Sequence, residues 1–194
     1  MSQVLRIASV ILLAILSLPL ASRADSPEAV CEQYIRSLSS DGATAVVKFM
    51  HPAEMERFKQ MFLPVLRVEA EQGRSTIRSA TFGKGATIAE IEARPAGEFM
   101  TAVFRLAPIN TVDPVKIDRV DILGAIPEGD AVHLLARIHM GAGEFTLKKL
   151  EVVTMIPYEK SWRLALTAQM EGLASALRAQ SSPAKAEPAI PAPK

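Results

Sequence analysis

The three histidines and the single cysteine are the side chains whose types best suit them to hold a metal ion or attack a substrate. His133 and His139 share one face of a segment of alternating hydrophobicity, together with Arg137. Residues six apart in a strand lie about 20 Å apart, too far to chelate one ion. No cysteine, histidine and acidic residues have the spacing of zinc ligands. The sequence therefore predicts no metal site and no other cofactor, and it places these three residues on the solvent face of a strand.

Two further patterns bear on catalysis. The segment Gly83-Lys84-Gly85-Ala86-Thr87 has the glycines and lysine of a phosphate loop but neither the four-residue spacing before Gly-Lys nor the hydroxyl residue after it. It predicts a turn, and no Gly-x-Ser-x-Gly nucleophile elbow is present. Cys31 could be a reactive thiol or bridge a homodimer, but its place beside a helical apolar stripe favours a small buried hydrophobic residue.

The first 24 residues have the three-part organisation of a secretory signal peptide. A short basic start is followed by an apolar run over residues 7–20, and Ser22-Arg23-Ala24 places small residues at the positions that signal peptidase reads. That run is shorter than the roughly 20 residues that span a bilayer. We expect cleavage after Ala24, with Ala21 as the alternative site, no stable transmembrane anchor, and a periplasmic or secreted protein. An uncleaved membrane anchor is the alternative interpretation.

Composition limits the domain count and the class of partner. Removing residues 1–24 takes two of the 22 basic residues and none of the 21 acidic ones, so the net charge falls from +1 to near −1. This balance argues against nucleic acid as a partner, since such proteins carry a basic surplus. Residues 25–180 suit one domain. Residues 181–194, SSPAKAEPAIPAPK, cannot bury a core and predict a disordered tail.

Helical patterns dominate the first half of the mature chain. Ser26-Pro27-Glu28 is a helix start, and Val30, Tyr34 and Leu38 recur four apart. A short helix is expected over residues 43–50 and a long one from Pro52 to about Gln72. Residues 75–82 alternate and predict a short strand. Thr87 and Glu90 have capping-box spacing, and a helical face continues to about Arg105.

The last third of the chain predicts two hairpins. Residues 115–126 and 131–140 flank a Pro-Glu-Gly-Asp turn, and residues 145–157 and 161–167 flank Tyr-Glu-Lys. In the second segment, one face holds the apolar set Val132, Leu134, Ala136, Ile138 and Met140. A closing helix is expected over residues 170–179. Helices first and antiparallel strands after predict an α+β fold, with helices on one face of a curved, mostly antiparallel sheet.

This order of elements resembles the nuclear transport factor 2-like superfamily, which includes ketosteroid isomerase and SnoaL-like cyclases. The matching segments are Thr81-Phe82-Gly83 with the helix after it, Val120-Asp121-Ile122-Leu123-Gly124, and Lys160-Ser161-Trp162-Arg163-Leu164. The resemblance covers most of residues 26–168 and implies a cone-shaped α+β fold. It does not select an activity, because one fold hosts many functions.

The resemblance also implies where an active site would lie. Enzymes of this superfamily place acids, tyrosines and histidines in the cone, and an isomerase needs a carboxylate base and an oxyanion donor. Tyr34 with Asp118 or Asp121 could supply these groups, and His51 is expected near the mouth. No motif joins them, so no catalytic residue is assigned. Tyr34 as a core-edge aromatic and His51 as a helix cap are the structural alternatives.

Large apolar residues are expected to crowd the space between helices and sheet. Methionine-rich linings adapt to varied apolar ligands, although such residues also fill cores. The candidate ligand-binding residues are Tyr34, His51, Phe58, Phe62, Met100, Phe104 and Trp162. We expect a non-enzymatic exported module for an apolar small molecule, a lipid or an envelope protein partner. The alternatives are a cone-fold enzyme of isomerase, cyclase or hydrolase type, and a structural accessory protein of the cell envelope.

Overall fold

The computed structural model describes residues 25–106, 116–142, 145–168, 170–172 and 175. The predicted signal peptide and the C-terminal tail lie outside these residues. Within these residues, six α-helices and one 3₁₀ turn precede four strands: α1 Pro27–Asp41, the turn Gly42–Thr44, α2 Ala45–Phe49, α3 Pro52–Glu71, α4 Thr76–Phe82, α5 Ile88–Ala93, α6 Ala96–Arg105, β1 Lys116–Glu128, β2 Ala131–Ala142, β3 Phe145–Tyr158 and β4 Ser161–Leu164. The predicted α+β class is confirmed. Of the predicted closing helix, residues 170–172 and 175 are described, and they are helical.

Local capping chemistry starts the helices where the sequence predicts. The Ser26 side chain accepts the Ala29 N–H at 3.2 Å, and Pro27 occupies the first turn of α1. At α5 the capping box is complete, because the Glu90 N–H donates to Thr87 Oγ1 at 3.2 Å and the Thr87 N–H donates to Glu90 Oε2 at 2.8 Å. Each cap satisfies N–H groups that have no acceptor within the helix.

The predicted strand over residues 75–82 is wrong, because this segment forms helix α4. Its Ser75 makes no side-chain capping bond. Instead, the buried carboxylate of Glu69 in α3 accepts the N–H groups of Ile77 at 2.7 Å and Arg78 at 3.0 Å. A long-range acceptor thus stabilises a helix start that the local sequence does not mark. The early strand in the resemblance given above is therefore absent from this segment.

A buried lysine ties the long helix to the shorter ones. Lys59 in α3 donates from Nζ to the carbonyl oxygens of Glu92 and Arg94, both at 2.7 Å. These carbonyls lie at the end of α5, where a helix leaves acceptors unpaired and a cation is favourable. Lys59 therefore fixes α5 and the start of α6 against α3.

The sheet is an antiparallel meander in the order β1-β2-β3-β4. Its register pairs Leu134 with Ala125 on β1 and with Val153 on β3. The Met50–His51 segment adds a short parallel bridge to Leu164 at the β4 edge, where the His51 N–H donates to the Leu164 carbonyl at 3.0 Å. The turns after β1 and β3 reverse through Gly129 and Glu159, whose φ angles are 58° and 54°.

The core lies between the helices and one face of the sheet. Leu134, Ala136 and Ile138 of β2 are buried, which confirms the predicted apolar face of this strand. Helix α1 packs across β1, β2 and β3 on this inner face. The other side chains of β2 therefore point to the opposite, open face of the sheet.

Candidate functional site

Three of the predicted ligand-binding residues lie in the packed interior. Phe58, Phe62 and Met100 are at most 3% exposed. The Phe58 ring lies 6.0 Å from that of Phe62 and 5.8 Å from that of Phe104 between centroids, and Phe99 meets both Phe58 and Phe62 edge to face. Phe104 and Trp162 are half-buried and pack against the hydrophobic core. These phenylalanine rings pack against one another and leave no open space between them. Of the seven predicted residues, only Tyr34 borders the cleft between α1 and β3.

Tyr34 lies in a narrow cleft between α1 and the inner face of β3. The cleft has a volume of about 20 Å³, room for a single water molecule. Glu151 of β3 borders it together with Met50, Leu164 and Met170. Burial raises the pKa of the Tyr34 hydroxyl, and the nearby Glu151 carboxylate raises it further. The structure thus brings Tyr34 together with an acid that the sequence analysis did not select.

Cys31 lies one helical turn before Tyr34 and is fully buried. Burial raises the pKa of its thiol from 9.0 to about 12, with added contributions from the carboxylates of Glu151, Glu32 and Glu28. A thiol reacts as the thiolate. This environment suits the predicted role of Cys31 as a small buried hydrophobic residue.

His51 serves as the N-cap of α3. Its Nδ1 accepts the Ala53 N–H at 3.1 Å, and its ring packs edge-on against Tyr158 at 5.0 Å. The residues that border the Tyr34 cleft do not include His51. Tyr34 and His51 therefore do not share this cleft.

Asp121 lies on the open face of the sheet, not in the cleft. Its Oδ2 atom accepts from His139 Nε2 at 2.9 Å and from Arg119 at 2.8 Å. Partial burial alone would raise the pKa of Asp121, but the hydrogen bonds from Arg119 and His139 outweigh it and lower that pKa. Asp118 pairs with Lys116 at 3.9 Å near the same end of β1. Neither aspartate lies among the residues that border the Tyr34 cleft.

His133, the second histidine of the open face, is also held by polar contacts from its neighbours. His133 Nε2 lies 2.6 Å from Glu128, and its Nδ1 lies 3.0 Å from the Thr154 hydroxyl. His133, Arg137 and His139 share one face opposite the core, as the alternation predicts, and each is half-buried by its neighbours. The two histidines belong to separate polar clusters at opposite ends of the strand.

Large apolar residues occupy the centre of the open face. Leu135 of β2 pairs directly with Val152 of β3, and Leu150 follows two residues along the same side of β3. The exposed fractions are 38% for Leu135, 59% for Val152, 59% for Leu150, 67% for Ile126 and 43% for Leu123. The strand register places four of these residues on the open face, and we call them the open-face patch: Leu135, Val152, Leu150 and Ile126. The sequence alone does not reveal this patch, although the alternation of β2 places Leu135 opposite the core.

Charged residues border the patch at both ends, and the end rich in basic side chains also holds Asp121, which accepts from Arg119. Arg119 and Lys148 flank His139 across the three strands at one end, with Arg137 two residues closer to the patch. Glu128 lies opposite Ala131 at the other end. Apolar residues surrounded by charged ones on an exposed face are typical of an interaction surface.

Among the described residues, no three histidine, cysteine or acidic side chains come together as a metal site. Within the same part of the chain, none of the helices combines the length and hydropathy needed to cross a bilayer. No family model, curated protein or solved structure matches this chain.

Proposed function

We propose that this chain is an exported, non-enzymatic docking module that binds a protein partner through the open-face patch. The pairing of Leu135 with Val152 at the centre of an exposed sheet face carries the proposal. The fit is to a flat apolar protein surface with an acidic border opposite Arg137 and Lys148, since Arg119 is already paired with Asp121.

The packed interior favours a protein partner over a small apolar ligand. A ligand of drug size needs a pocket of roughly 300 Å³ or more. The Tyr34 cleft holds about one water molecule, and Phe58, Phe62 and Met100 contact other core residues instead of open space. The same narrow cleft gives little room for the substrate of a cone-fold enzyme at Tyr34 and Glu151.

Export is the second part of the proposal and depends on residues 1–24. Their three-part pattern supports removal of a signal peptide and release into the periplasm or medium. A fully buried Cys31, the single cysteine of the chain, is compatible with an oxidising compartment because no disulfide is required.

Site-specific photocrosslinking tests the docking surface. A benzophenone amino acid is placed at Leu135 or at Val152, with Gln60 on the exposed side of α3 as the matched control. The full chain is expressed with its own leader in its native host, irradiated, and the adducts are sequenced by mass spectrometry. We expect both patch positions to crosslink to the same protein surface and Gln60 not to do so. Patch adducts no more abundant than those from Gln60, or adducts with lipid alone, would overturn the proposal.

A further inference from the structure

We propose that the partner of this docking module binds as an added strand, in which an extended acidic segment of another protein pairs with the free edge of β3. The edge sequence is Leu147-Lys148-Lys149-Leu150, and the complementary segment has the pattern apolar-acid-acid-apolar. This inference rests on the proposed docking function and names the chemistry of its partner. The end of β4, the direction of the backbone groups and the charges beside them support it.

Strand β4 covers only one end of β3. It pairs with residues 155–158, and beyond them the Ala165 N–H donates to the Thr154 carbonyl at 2.9 Å. The chain then becomes helical at residue 168. Within the described part of the chain, no backbone hydrogen bond reaches residues 146–152 from this side. These residues therefore form an open edge of the sheet.

Alternate residues of β3 direct their backbone groups to the open edge. In an antiparallel ladder, successive residues point their N–H and C=O groups to opposite sides. The Thr154 carbonyl faces the β4 side, and β3 pairs with β2 without a register shift. Lys148 and Leu150, an even number of residues away, therefore face the open edge with an N–H and a C=O each. Leu147 and Lys149 bond instead to β2.

Each face of this edge carries one leucine and one lysine. Leu150 and Lys148 lie on the open face, whereas Lys149 and Leu147 lie on the inner face. Leu150 is 59% and Leu147 61% exposed, and both lysines are exposed. Lys149 pairs with Glu151 at 2.8 Å. Leu150 also belongs to the open-face patch, so the edge and the patch form one continuous surface.

The ladder neighbours of Lys148 leave its charge uncompensated. Lys148 lies opposite His139 of β2, whose Nε2 lies 2.9 Å from Asp121 Oδ2. Arg119 donates to the same carboxylate oxygen at 2.8 Å. Among the described residues, neither Lys148 nor Arg137 has an ion pair with an acid. A carboxylate on the added strand, opposite Lys148, would offset this positive surplus.

An antiparallel added strand meets these side chains in reverse order. Its residues opposite Leu150 and Leu147 are apolar, and those opposite Lys149 and Lys148 are acidic. Opposite residues of adjacent strands share a face, so each acid lies on the side of its own lysine. In strand addition, main-chain hydrogen bonds supply the affinity and the alternating side chains supply the specificity.

The chain itself contains no such segment. No two acidic residues are adjacent anywhere in the sequence, and residues 181–194 hold four prolines, which lack the N–H that a strand donates. A second copy is also a poor match. The antiparallel β3–β3 registers centred on residues 148–150 place Lys148 opposite Lys148, Leu150 or Val152 of the other copy, and never opposite an acid. The added strand therefore comes from another protein.

The other edge of the sheet is less open. Strand β1 has two register shifts, and Pro127 near its end lacks an N–H to donate. The Ile117 N–H near its start donates to Ser39 Oγ of α1 at 3.0 Å. Interrupted or covered edges resist strand addition, so the edge of β3 is the one that accepts a strand.

A synthetic peptide tests this binding mode. The probe is acetyl-Thr-Lys-Ile-Glu-Glu-Val-Thr-amide, whose isoleucine and second glutamate lie opposite Leu150 and Lys148. Their N–H groups face β3, whereas the N–H of the first glutamate faces away. N-methylation of the isoleucine or the second glutamate should weaken binding at least about tenfold, and N-methylation of the first glutamate should leave it unchanged. Isothermal titration calorimetry with the purified chain, expressed with its own leader, measures each affinity.

Amide hydrogen exchange supplies an internal control within β3. Without the probe, the N–H groups of Lys148 and Leu150 should exchange faster than those of Leu147 and Lys149, because only the latter pair bonds to β2. Saturating probe should protect Lys148 and Leu150 and leave Leu147 and Lys149 unchanged.

Charge exchange tests the acidic preference. Lys148→Glu should weaken binding of the probe at least about fivefold, and a probe with lysine in place of its second glutamate should restore it. Lys84→Glu makes the same charge change on the exposed turn between α4 and α5 and should bind the probe like the native chain. Circular dichroism verifies the fold of both variants.

Four results would overturn the inference: no binding of the probe at ~1 mM, equal weakening by all three N-methyl groups, unchanged binding in Lys148→Glu, or a native homodimer that buries the Lys148 edge. Protein crosslinks from Leu135 and Val152 would in these cases leave the docking function standing and remove only strand addition. Probe binding at the edge without any crosslink from Leu135 would instead support the edge site and remove the docking role of the open-face patch.

Discussion

The carboxylate of Glu69 accepts the backbone N–H of Ile77 at 2.7 Å across the turn between α3 and α4. Its other oxygen accepts the N–H of Arg78 at 3.0 Å. Glu69 is 3% exposed and lies on the apolar side of α3. A buried charge of this kind is tolerated because both oxygens are hydrogen-bonded. These two hydrogen bonds determine where α4 begins.

Removing this cap should destabilise the chain strongly. We expect Glu69→Ala to lower the free energy of unfolding by about 2–3 kcal/mol, because two buried N–H groups lose a charged acceptor. Glu69→Gln keeps one acceptor oxygen and should cost about half as much. Urea unfolding followed by circular dichroism measures both. Glu71→Ala, on the exposed end of the same helix, is the control; equal losses in the two alanine variants would contradict the role given to Glu69.

The hydrogen bond between Glu69 and Ile77 explains why the sequence predicts β2 correctly but not α4. Residues 131–140 alternate strictly, and the structure buries the predicted face of β2 because period-two patterning is a local property. Residues 75–82 alternate only weakly, and their helix depends on an acceptor at Glu69 in another element. No pattern within the segment reports that acceptor, so a strand was predicted where α4 forms.

The candidate surface was harder to predict than the fold. The sequence predicts that Tyr34 and Phe58 lie on the core side of the fold, and the structure places them there. Val152 and Leu150 lie on the open side of β3, where only the register with β2 reveals that they adjoin Leu135. Strand pairing is a long-range property, so a single sequence shows the alternation of each strand but not the contiguous patch that the strands form together.

The Phe58 ring should contribute as a core residue. It lies at the centre of a cluster with Phe62, Phe99 and Phe104 and is 1% exposed. Phe58→Ala should therefore lower the free energy of unfolding by about 3–5 kcal/mol. Leu147→Ala, at a position 61% exposed, should change it by less than about 0.5 kcal/mol. A loss below about 1 kcal/mol at Phe58 would instead indicate an open cavity around the ring.

The Cys31 thiol should be unreactive in the folded chain. A pKa near 12, against 9.0 for a free thiol, lowers the thiolate fraction at pH 8 by about a thousandfold. We expect Ellman's reagent to label the folded protein very slowly at this pH and to label it completely in ~6 M urea. Equal labelling rates in the two conditions, or a disulfide-linked dimer of the folded protein, would contradict this assignment.

Asp121 should give the chain a measurable acid sensitivity. Burial opposes ionisation of this carboxyl, but the hydrogen bonds from Arg119 and His139 outweigh the effect of burial. They lower the pKa of Asp121 below 3.8. A carboxylate with a lowered pKa stabilises the folded state above its unfolded pKa, and that stabilisation is lost as the pH falls through the lowered value. Asp121→Asn should therefore be less stable than the native chain at pH 6, and the difference should shrink steadily below a pH of about 3.8.

Two measurements check this pH dependence. Urea unfolding is compared between the native chain and Asp121→Asn across the acid range. Carbon-13 NMR titration of the Asp121 carboxyl gives its pKa directly. Replacing Arg119 with glutamine removes one of the two stabilising hydrogen bonds, so the carboxyl should then titrate at a higher pH than in the native chain. A titration midpoint at or above 3.8 in the native chain, or one unmoved by the Arg119 replacement, would mean that these bonds do not hold the carboxylate in solution.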